Sequence, residues 1–143
     1  MKRASILAVA AAGALLSTAS ASAHHSFAAE FDRALPITVT GTVTKVEWMN
    51  PHARFYIDAK DDQGKIVNWD FELASPNGLM RRGWNRNSMK IGDTVTVSGH
   101  RAKNNPLVGN ASSVVLADGK KLFAGSSIDN EAPASGSAQP PSQ

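Results

Sequence analysis

The chain has 143 residues, with 15 lysines and arginines against 12 aspartates and glutamates and a formal net charge of +3. This weak charge excess indicates neither a nucleic acid nor an anionic membrane as an obligatory partner. The chain has no cysteine, which excludes disulfide bonds and thiolate chemistry.

The first 23 residues have the pattern of a cleavable signal peptide. Lys2 and Arg3 precede an apolar run at residues 6–16, and Ala21-Ser22-Ala23 forms a small-x-small cleavage site. The alternative is a retained membrane anchor, but the run is about half the ~20 residues that a membrane span requires. We expect cleavage after Ala23, a periplasmic or secreted bacterial protein, no membrane anchor after cleavage, and a mature net charge of +1.

The other end of the chain is predicted to be a disordered tail. Residues 125–143 consist mainly of small residues and proline, with Ile128 as the one large apolar side chain. Such a composition buries too little apolar surface to offset its ordering entropy. The domain prediction is therefore a signal peptide at 1–23, a β-barrel domain with an N-terminal arm at 24–124, and a tail at 125–143.

Alternating apolar residues predict three consecutive strands in the first half of the domain. The first begins at Ile37, and a shift in its alternation predicts a bulge or bend near Thr44 and Lys45. The second covers residues 53–59 and ends in a turn at 60–64. The third covers residues 67–73, where apolar residues alternate with polar ones.

A short helix and two further strands complete the predicted fold. Ser75 is a helix N-cap followed by Pro76, Leu79 and Met80 are expected to pack, and Gly83 can adopt the left-handed conformation that ends the helix. Strands follow at 95–99 and 111–116, and a turn at Asp118-Gly119 leads into residues 121–124. This order favours an all-β, five-stranded barrel resembling the OB-fold, with one short helix between strands 3 and 4. An open β-sandwich or another small barrel is the alternative.

Histidines provide the main candidate site. Cleavage after Ala23 makes His24 the new N-terminal residue, so its α-amine and imidazole lie next to the imidazole of His25. Nitrogen donors of this kind suit Cu(II), Ni(II) or Zn(II), with copper bound most tightly. The alternative is that both histidines are merely polar residues of a flexible arm.

Two further histidines are weighed as ligands. His52 follows Asn50-Pro51 in the loop between the first two strands, and we predict it as a third ligand. His100 ends the fourth strand, and its role is left open. Each of these two could instead be a hydrogen-bonded structural residue. A ligating imidazole needs an orienting partner, for which we consider the carboxylates Glu30, Asp32 and Glu47.

A second candidate site lies after the helix. Trp48 and Trp69 follow the apolar alternation and are predicted to be in the core. Trp84, with Arg81 and Arg82, is predicted to form an exposed patch that binds a partner, although a solvated basic loop is the alternative. No nucleophile elbow, zinc-protease helix or phosphate-binding loop occurs, so no catalytic residue is assigned and enzymatic activity is not expected.

Five short motifs resemble those of a family of small exported bacterial domains of unknown function. They are HHSFAAEFD at 24–32, NPH at 50–52, WDFEL at 69–73, SPN at 75–77 and RRGW at 81–84. The resemblance covers about residues 24–125 and implies a bacterial, exported protein without an established activity. It includes His24, His25 and His52 but not His100, and a more distant similarity to bacterial exported OB-fold domains supports the predicted fold.

Two functions of different classes follow from these observations. The first is a periplasmic metal-binding protein, for copper or another divalent metal, that uses His24, His25 and His52. The second is a non-metal binding module that captures a small ligand, a peptide, a glycan or an envelope partner through the barrel face or through Arg81, Arg82 and Trp84.

Overall fold

The computed structural model describes residues 27–125 and has a mostly β architecture, as predicted. The predicted leader, His24, His25 and residues 126–143 lie outside the described residues. A helical segment at 27–30 precedes the first strand. The remaining elements are β1 (Phe31–Glu47), β2 (Arg54–Lys60), β3 (Ile66–Glu72), α1 (Pro76–Met80), β4 (Thr94–Ala102), β5 (Val108–Val115) and β6 (Lys121–Phe123). No helix of residues 27–125 is long and apolar enough to cross a membrane.

The strands form one sheet that closes into a ring. Its order is β3-β2-β1-β4-β5-β6, and all these neighbours are antiparallel. A parallel pairing of β3 with β5, between Asp70–Glu72 and Val108–Asn110, closes the ring. Five strands were predicted, whereas the structure has six. The additional strand is β6, which follows the turn at Gly119 (φ 85°) and pairs with β5.

The first strand is longer than predicted, and its bend is where the alternation of the sequence changes. The pairing of β1 with β2 shifts register between Val43 and Lys45, which confirms the predicted bulge. β1 begins at Phe31 instead of Ile37, because its first residues pair with the end of β4, including Phe31 with Ala102. That pairing joins residues about 70 positions apart, and local alternation does not predict it.

The predicted alternation of β2 and β3 is confirmed, and it builds the centre of the core. Phe55, Ile57 and Phe71 are at most 1% exposed. Trp69 is also buried and stacks on Phe71 with ring centroids 5.5 Å apart. Trp48, predicted to be in the core, is half-buried and packs against its edge.

The predicted helix between β3 and β4 is present as α1. The Ser75 hydroxyl accepts a hydrogen bond from the amide of Gly78, Pro76 is the first helical residue, and Gly83 has φ 89°. Leu79 is fully buried as expected. Met80 is 51% exposed, so its predicted packing is wrong. A helix of five residues presents only a narrow stripe to the core, and Met80 lies outside that stripe.

Candidate functional site

His52 is held in a defined position at one end of the β2-β3 hairpin. The loop before it contains a cis peptide bond between Asn50 and Pro51. The residue after it, Ala53, pairs with the chain beyond β3, through hydrogen bonds from Ala53 N to Ala74 O (3.1 Å) and from Leu73 N to Ala53 O (2.9 Å). The imidazole Nδ1 lies 2.8 Å from Glu72 Oε1, and the side chain is 44% exposed. One ring nitrogen is thus occupied by a carboxylate while the ring stays accessible.

Glu72, the partner of His52, is a largely buried carboxylate. Its side chain is 13% exposed, and its second oxygen accepts a hydrogen bond of 3.2 Å from Arg54 Nη1. Burial raises the pKa of Glu72 above its usual value. Attraction to His52 and Arg54 opposes this rise, whereas repulsion from Glu30 adds to it. We therefore expect Glu72 to bind a proton more readily than an exposed glutamate.

The three carboxylates considered from the sequence as orienting partners do not hydrogen-bond to His52. Glu47 accepts a hydrogen bond from the Tyr56 hydroxyl (3.1 Å) and pairs with Lys45 (2.6 Å). The hydrogen bond from Lys45 lowers the pKa of Glu47, and that from Tyr56 lowers it further. Asp32 Oδ1 accepts from the amide of Ala34 (2.9 Å). Glu30 interacts with Glu72 only through its charge.

Glu72 was the functional residue missed from the sequence, although a signal for it existed. It is the last polar residue in the alternation of β3, and it pairs directly with Arg54 of β2. His52 precedes Arg54 by two residues. A predicted hairpin register would have placed Glu72 beside the histidine loop.

The segment that follows His24 and His25 along the chain is anchored near this site. Phe27 and Phe31 are buried and form a small second cluster with Ala102. The amide of Lys103 donates to Glu30 O (2.9 Å), and the Lys103 ammonium donates to Ala28 O. Phe27 contacts His100, His100 pairs with Asn110 of β5, and Asn110 pairs with Glu72 of β3, so the start of the described chain is docked on the same row of paired residues as the carboxylate that holds His52.

This second cluster lies on the outer surface of the ring. A Cβ on Gly109 would point at Phe71 and Ile37, so Gly109 faces the core. The neighbouring Val108, which packs against the second cluster, therefore faces outward. The helical segment at 27–30 thus covers part of the outer surface of β4 and β5.

His100 belongs to the covered surface and not to the His52 site. Its ring meets the edge of Phe27 at a centroid distance of 6.1 Å. His100 pairs with Asn110 across β4 and β5, and Asn110 is 3% exposed. Within the described chain, His100 Nδ1 and Asn110 Oδ1 are both buried without a hydrogen-bond partner.

Of the three predicted metal ligands, only His52 falls within the described residues. Between residues 27 and 125, no three His, Asp or Glu side chains are grouped so that they could hold a metal ion. A site of the predicted kind would therefore need donors from the preceding residues, which are His24 and His25 in the prediction.

The predicted exposed patch around Trp84 is not formed as expected. Trp84 is 4% exposed and belongs to the main core, and its Nε1 donates to Phe123 O (2.8 Å). The expectation that Trp84 is exposed is therefore wrong. The chain turns at Gly83 and carries the indole inward, where a carbonyl of β6 satisfies its N–H. Arg81 remains exposed and Arg82 is half-buried.

Comparison with known protein families matches most of the chain to a family model. The model of a family of unknown function, DUF6152, matches residues 12–111. This range contains most of the strands described above and the whole His52 loop. No curated protein matches the chain.

Proposed function

Because the chain belongs to this family of unknown function, membership supplies no activity, and we propose a function from the geometry at His52. The protein is an exported metal-binding protein whose preferred ion is Cu(II). Its ligands are the α-amine and imidazole of His24, the imidazole of His25 and the imidazole of His52. They form the site once the signal peptide has been cleaved after Ala23. Its location is the periplasm or the extracellular space of a bacterium.

The hydrogen bond between His52 Nδ1 and Glu72 Oε1 carries this proposal. Imidazoles that bind metals commonly donate their other N–H to a carboxylate, which fixes the tautomer and raises the basicity of the ligating nitrogen. Glu72 is buried and supplies that carboxylate. With Nδ1 engaged, Nε2 of the exposed ring is the nitrogen available to a metal ion.

The position of residues 27–30 supports the contribution of His24 and His25. Only Ser26 separates His25 from the anchored Phe27. An extended chain spans at most about 3.6 Å per residue, so the three residues from Phe27 back to His24 give the proposed ligands a reach of about 11 Å. Phe27 contacts His100, His100 pairs with Asn110, and Asn110 pairs with Glu72. The segment that follows the two predicted ligands in the sequence is therefore docked two strands away from Glu72.

The donor set determines the choice of metal. The proposed ligands are nitrogen atoms, and a nitrogen site binds first-row divalent ions most tightly at copper. Zn(II) and Ni(II) are bound more weakly by the same donors. The amine and imidazoles must be unprotonated to bind, so affinity falls on acidification.

For the fold, we propose that β1 to β5 form an OB-fold-like five-stranded barrel to which β6 is added. The ring runs β1-β2-β3-β5-β4 and returns to β1, and β6 pairs with β5 alone. The bulge at Val43 and Lys45 lets β1 pair with both β2 and β4. These features support a small, partly open barrel of the OB type.

Copper titration of correctly processed protein tests the function. Intact mass must first show a mature chain that begins at His24. Cu(II) is then titrated by calorimetry in the presence of a competing chelator, and the nitrogen ligands are counted by electron paramagnetic resonance. We expect Glu72→Gln to weaken Cu(II) binding about 10- to 100-fold, the usual effect of losing such a supporting group.

Two variants serve as comparisons. His52→Ala should weaken binding at least as much as Glu72→Gln and remove one nitrogen from the resonance spectrum. Arg81→Ala alters an exposed side chain outside the site and should change neither. An unchanged affinity in folded His52→Ala protein, or a mature chain that starts elsewhere, contradicts the proposal.

A further inference from the structure

A groove of about 500 Å³ opens at the end of the β2-β3 hairpin opposite to His52. This volume is within the usual range for small-molecule sites. The groove lies between the first half of β1, the turn after β2 and the segment between β4 and β5. It is distinct from the proposed metal site, since Val67 lies about 17 Å along β3 from Glu72 and its side chain points to the opposite face.

Part of the groove lining is apolar, beside polar residues that include Thr38 and Thr40. Ile37, Val39, Val67 and Leu107 form this apolar part, and each is half-buried and packed against the main core. Ile37, Val39 and Val67 follow the inward alternation of their strands and Leu107 directly precedes β5, but all four are left partly uncovered at this end of the ring. Trp69 also lines the groove and is itself buried. An apolar ligand segment would therefore complete burial that the fold leaves unfinished.

Arg101 lines the groove and has no carboxylate partner among residues 27–125. Its guanidinium carbon lies 5.6 Å from the ring centroid of Trp69. Its Nε is buried and has no hydrogen-bond partner among residues 27–125. Buried arginine N–H groups are normally paired, because leaving one unsatisfied is costly. Arg101 as a whole is half-buried, so its positive charge lies beside the apolar surface of the groove, although the buried Nε is not itself open to a ligand.

The other charged groups lie at the rim. Asp61 accepts hydrogen bonds from the amides of Gln63 and Lys65, both 2.9 Å, so its carboxylate is engaged in the turn after β2. Lys60 and Asp62 are exposed neighbours with opposite charges. Arg101 is therefore the charge that distinguishes the inner part of the groove.

We propose that this groove binds a small amphiphilic anion, with its carboxylate on Arg101 and its apolar body on Ile37, Val39, Val67 and Leu107. Guanidinium groups bind carboxylates through paired, charge-assisted hydrogen bonds. The stacking of Arg101 on Trp69 holds the guanidinium in place before the ligand arrives, which reduces the entropy lost on binding. This site is independent of copper and of the N-terminal histidines.

Binding of octanoate, followed by amide chemical shifts of the labelled protein, tests the proposal. We expect octanoate to shift the amides of Val67 and Leu107 in a saturable manner. Octan-1-ol and octylammonium have the same chain without the negative charge, and each should bind at least tenfold more weakly. Equal binding of octylammonium, or octanoate shifts confined to residues outside the groove, overturns the proposal.

Variants of Arg101 test the contact with the ligand carboxylate separately from the apolar contacts. Arg101→Met keeps an unbranched apolar side chain over Trp69 and should weaken octanoate binding at least tenfold, whereas Arg81→Met, outside the groove, should not. If Arg101→Met does not fold, Arg101→Lys keeps the charge but loses the planar fork, and we expect it to weaken binding several-fold. His52→Ala should bind octanoate normally, so this result is independent of the copper titration. Unaltered octanoate binding by either folded Arg101 variant refutes the role of Arg101.

Discussion

Replacing Phe27 with alanine should detach the helical segment at 27–30 from the ring while leaving the main core folded. Phe27 is 8% exposed and contacts Phe31 and His100, at ring-centroid distances of 5.4 and 6.1 Å. Burial of a phenylalanine side chain contributes about 1.5–3 kcal/mol. Its ring contacts add about 0.5–1.5 kcal/mol. Because the alanine Cβ keeps a small part of this burial, we expect Phe27→Ala to weaken docking of the segment by about 2–4 kcal/mol.

Hydrogen exchange at Lys103 measures this loss directly. The Lys103 amide donates to Glu30 O at 2.9 Å, so its protection depends on docking of the segment. A loss of 2–4 kcal/mol corresponds to roughly 30- to 1,000-fold faster exchange when exchange follows local opening. Amides in the centre of β2 and β3 should exchange at nearly unchanged rates. The control Phe123→Ala removes a ring that is 63% exposed and should leave Lys103 protected. An unchanged Lys103 exchange rate in Phe27→Ala would refute the docking that the copper proposal relies on.

Three other substitutions or titrations test particular contacts. Gly99→Ala would place a Cβ 1.9 Å from Asn110 O, so β4 and β5 must move apart. We expect the free energy of unfolding, measured by denaturant titration, to fall by at least ~2 kcal/mol. Glu72 should titrate above its usual pKa in carboxyl-detected NMR, and Glu30→Gln should lower that midpoint, because Glu30 raises the pKa of Glu72. The pKa of Glu72 is higher in the folded than in the unfolded protein. Its contribution to the free energy of unfolding is therefore fully present below pH 4.5 and is lost as the pH rises through the folded pKa. Trp84→Phe should destabilise the fold by about 1–3 kcal/mol by leaving a carbonyl unpaired, and an unchanged melting temperature would contradict the buried hydrogen bond.

Strands with one solvent-exposed face were predictable from the sequence, because burial of the other face places an apolar residue at every second position. Val67, Trp69 and Phe71 show this pattern in β3, and the structure confirms it. The start of β1 was not predictable in this way. Phe31 and Pro36 pair with β4, more than 60 residues away, and the exposed or half-exposed residues 32–35 between them form an irregularity in this pairing.

The residues of the candidate site likewise differ in whether the local sequence predicts them. His52 was identified from its loop, because asparagine and proline before it mark the end of a strand pair. Its partner Glu72 depends on hairpin register, and the burial of Trp84 depends on the short strand β6. The alternation of β3 marks Glu72 as a polar position, but each contact joins residues 20 or more positions apart, and local alternation does not predict the contact itself.

Docking of the segment at 27–30 connects the proposed copper site to the stability of the fold. If copper bridges His24 or His25 to His52, it binds the docked state in preference to the undocked one. The ion then adds to the free energy of docking, and this contribution grows with the logarithm of the ratio of free copper concentration to Kd. It is about 2.7 kcal/mol when the free copper concentration is 100 times Kd. That amount is comparable to the contribution expected from Phe27, so copper should restore much of the Lys103 protection lost in Phe27→Ala. Octanoate binds at the other end of the β2-β3 hairpin and should restore none.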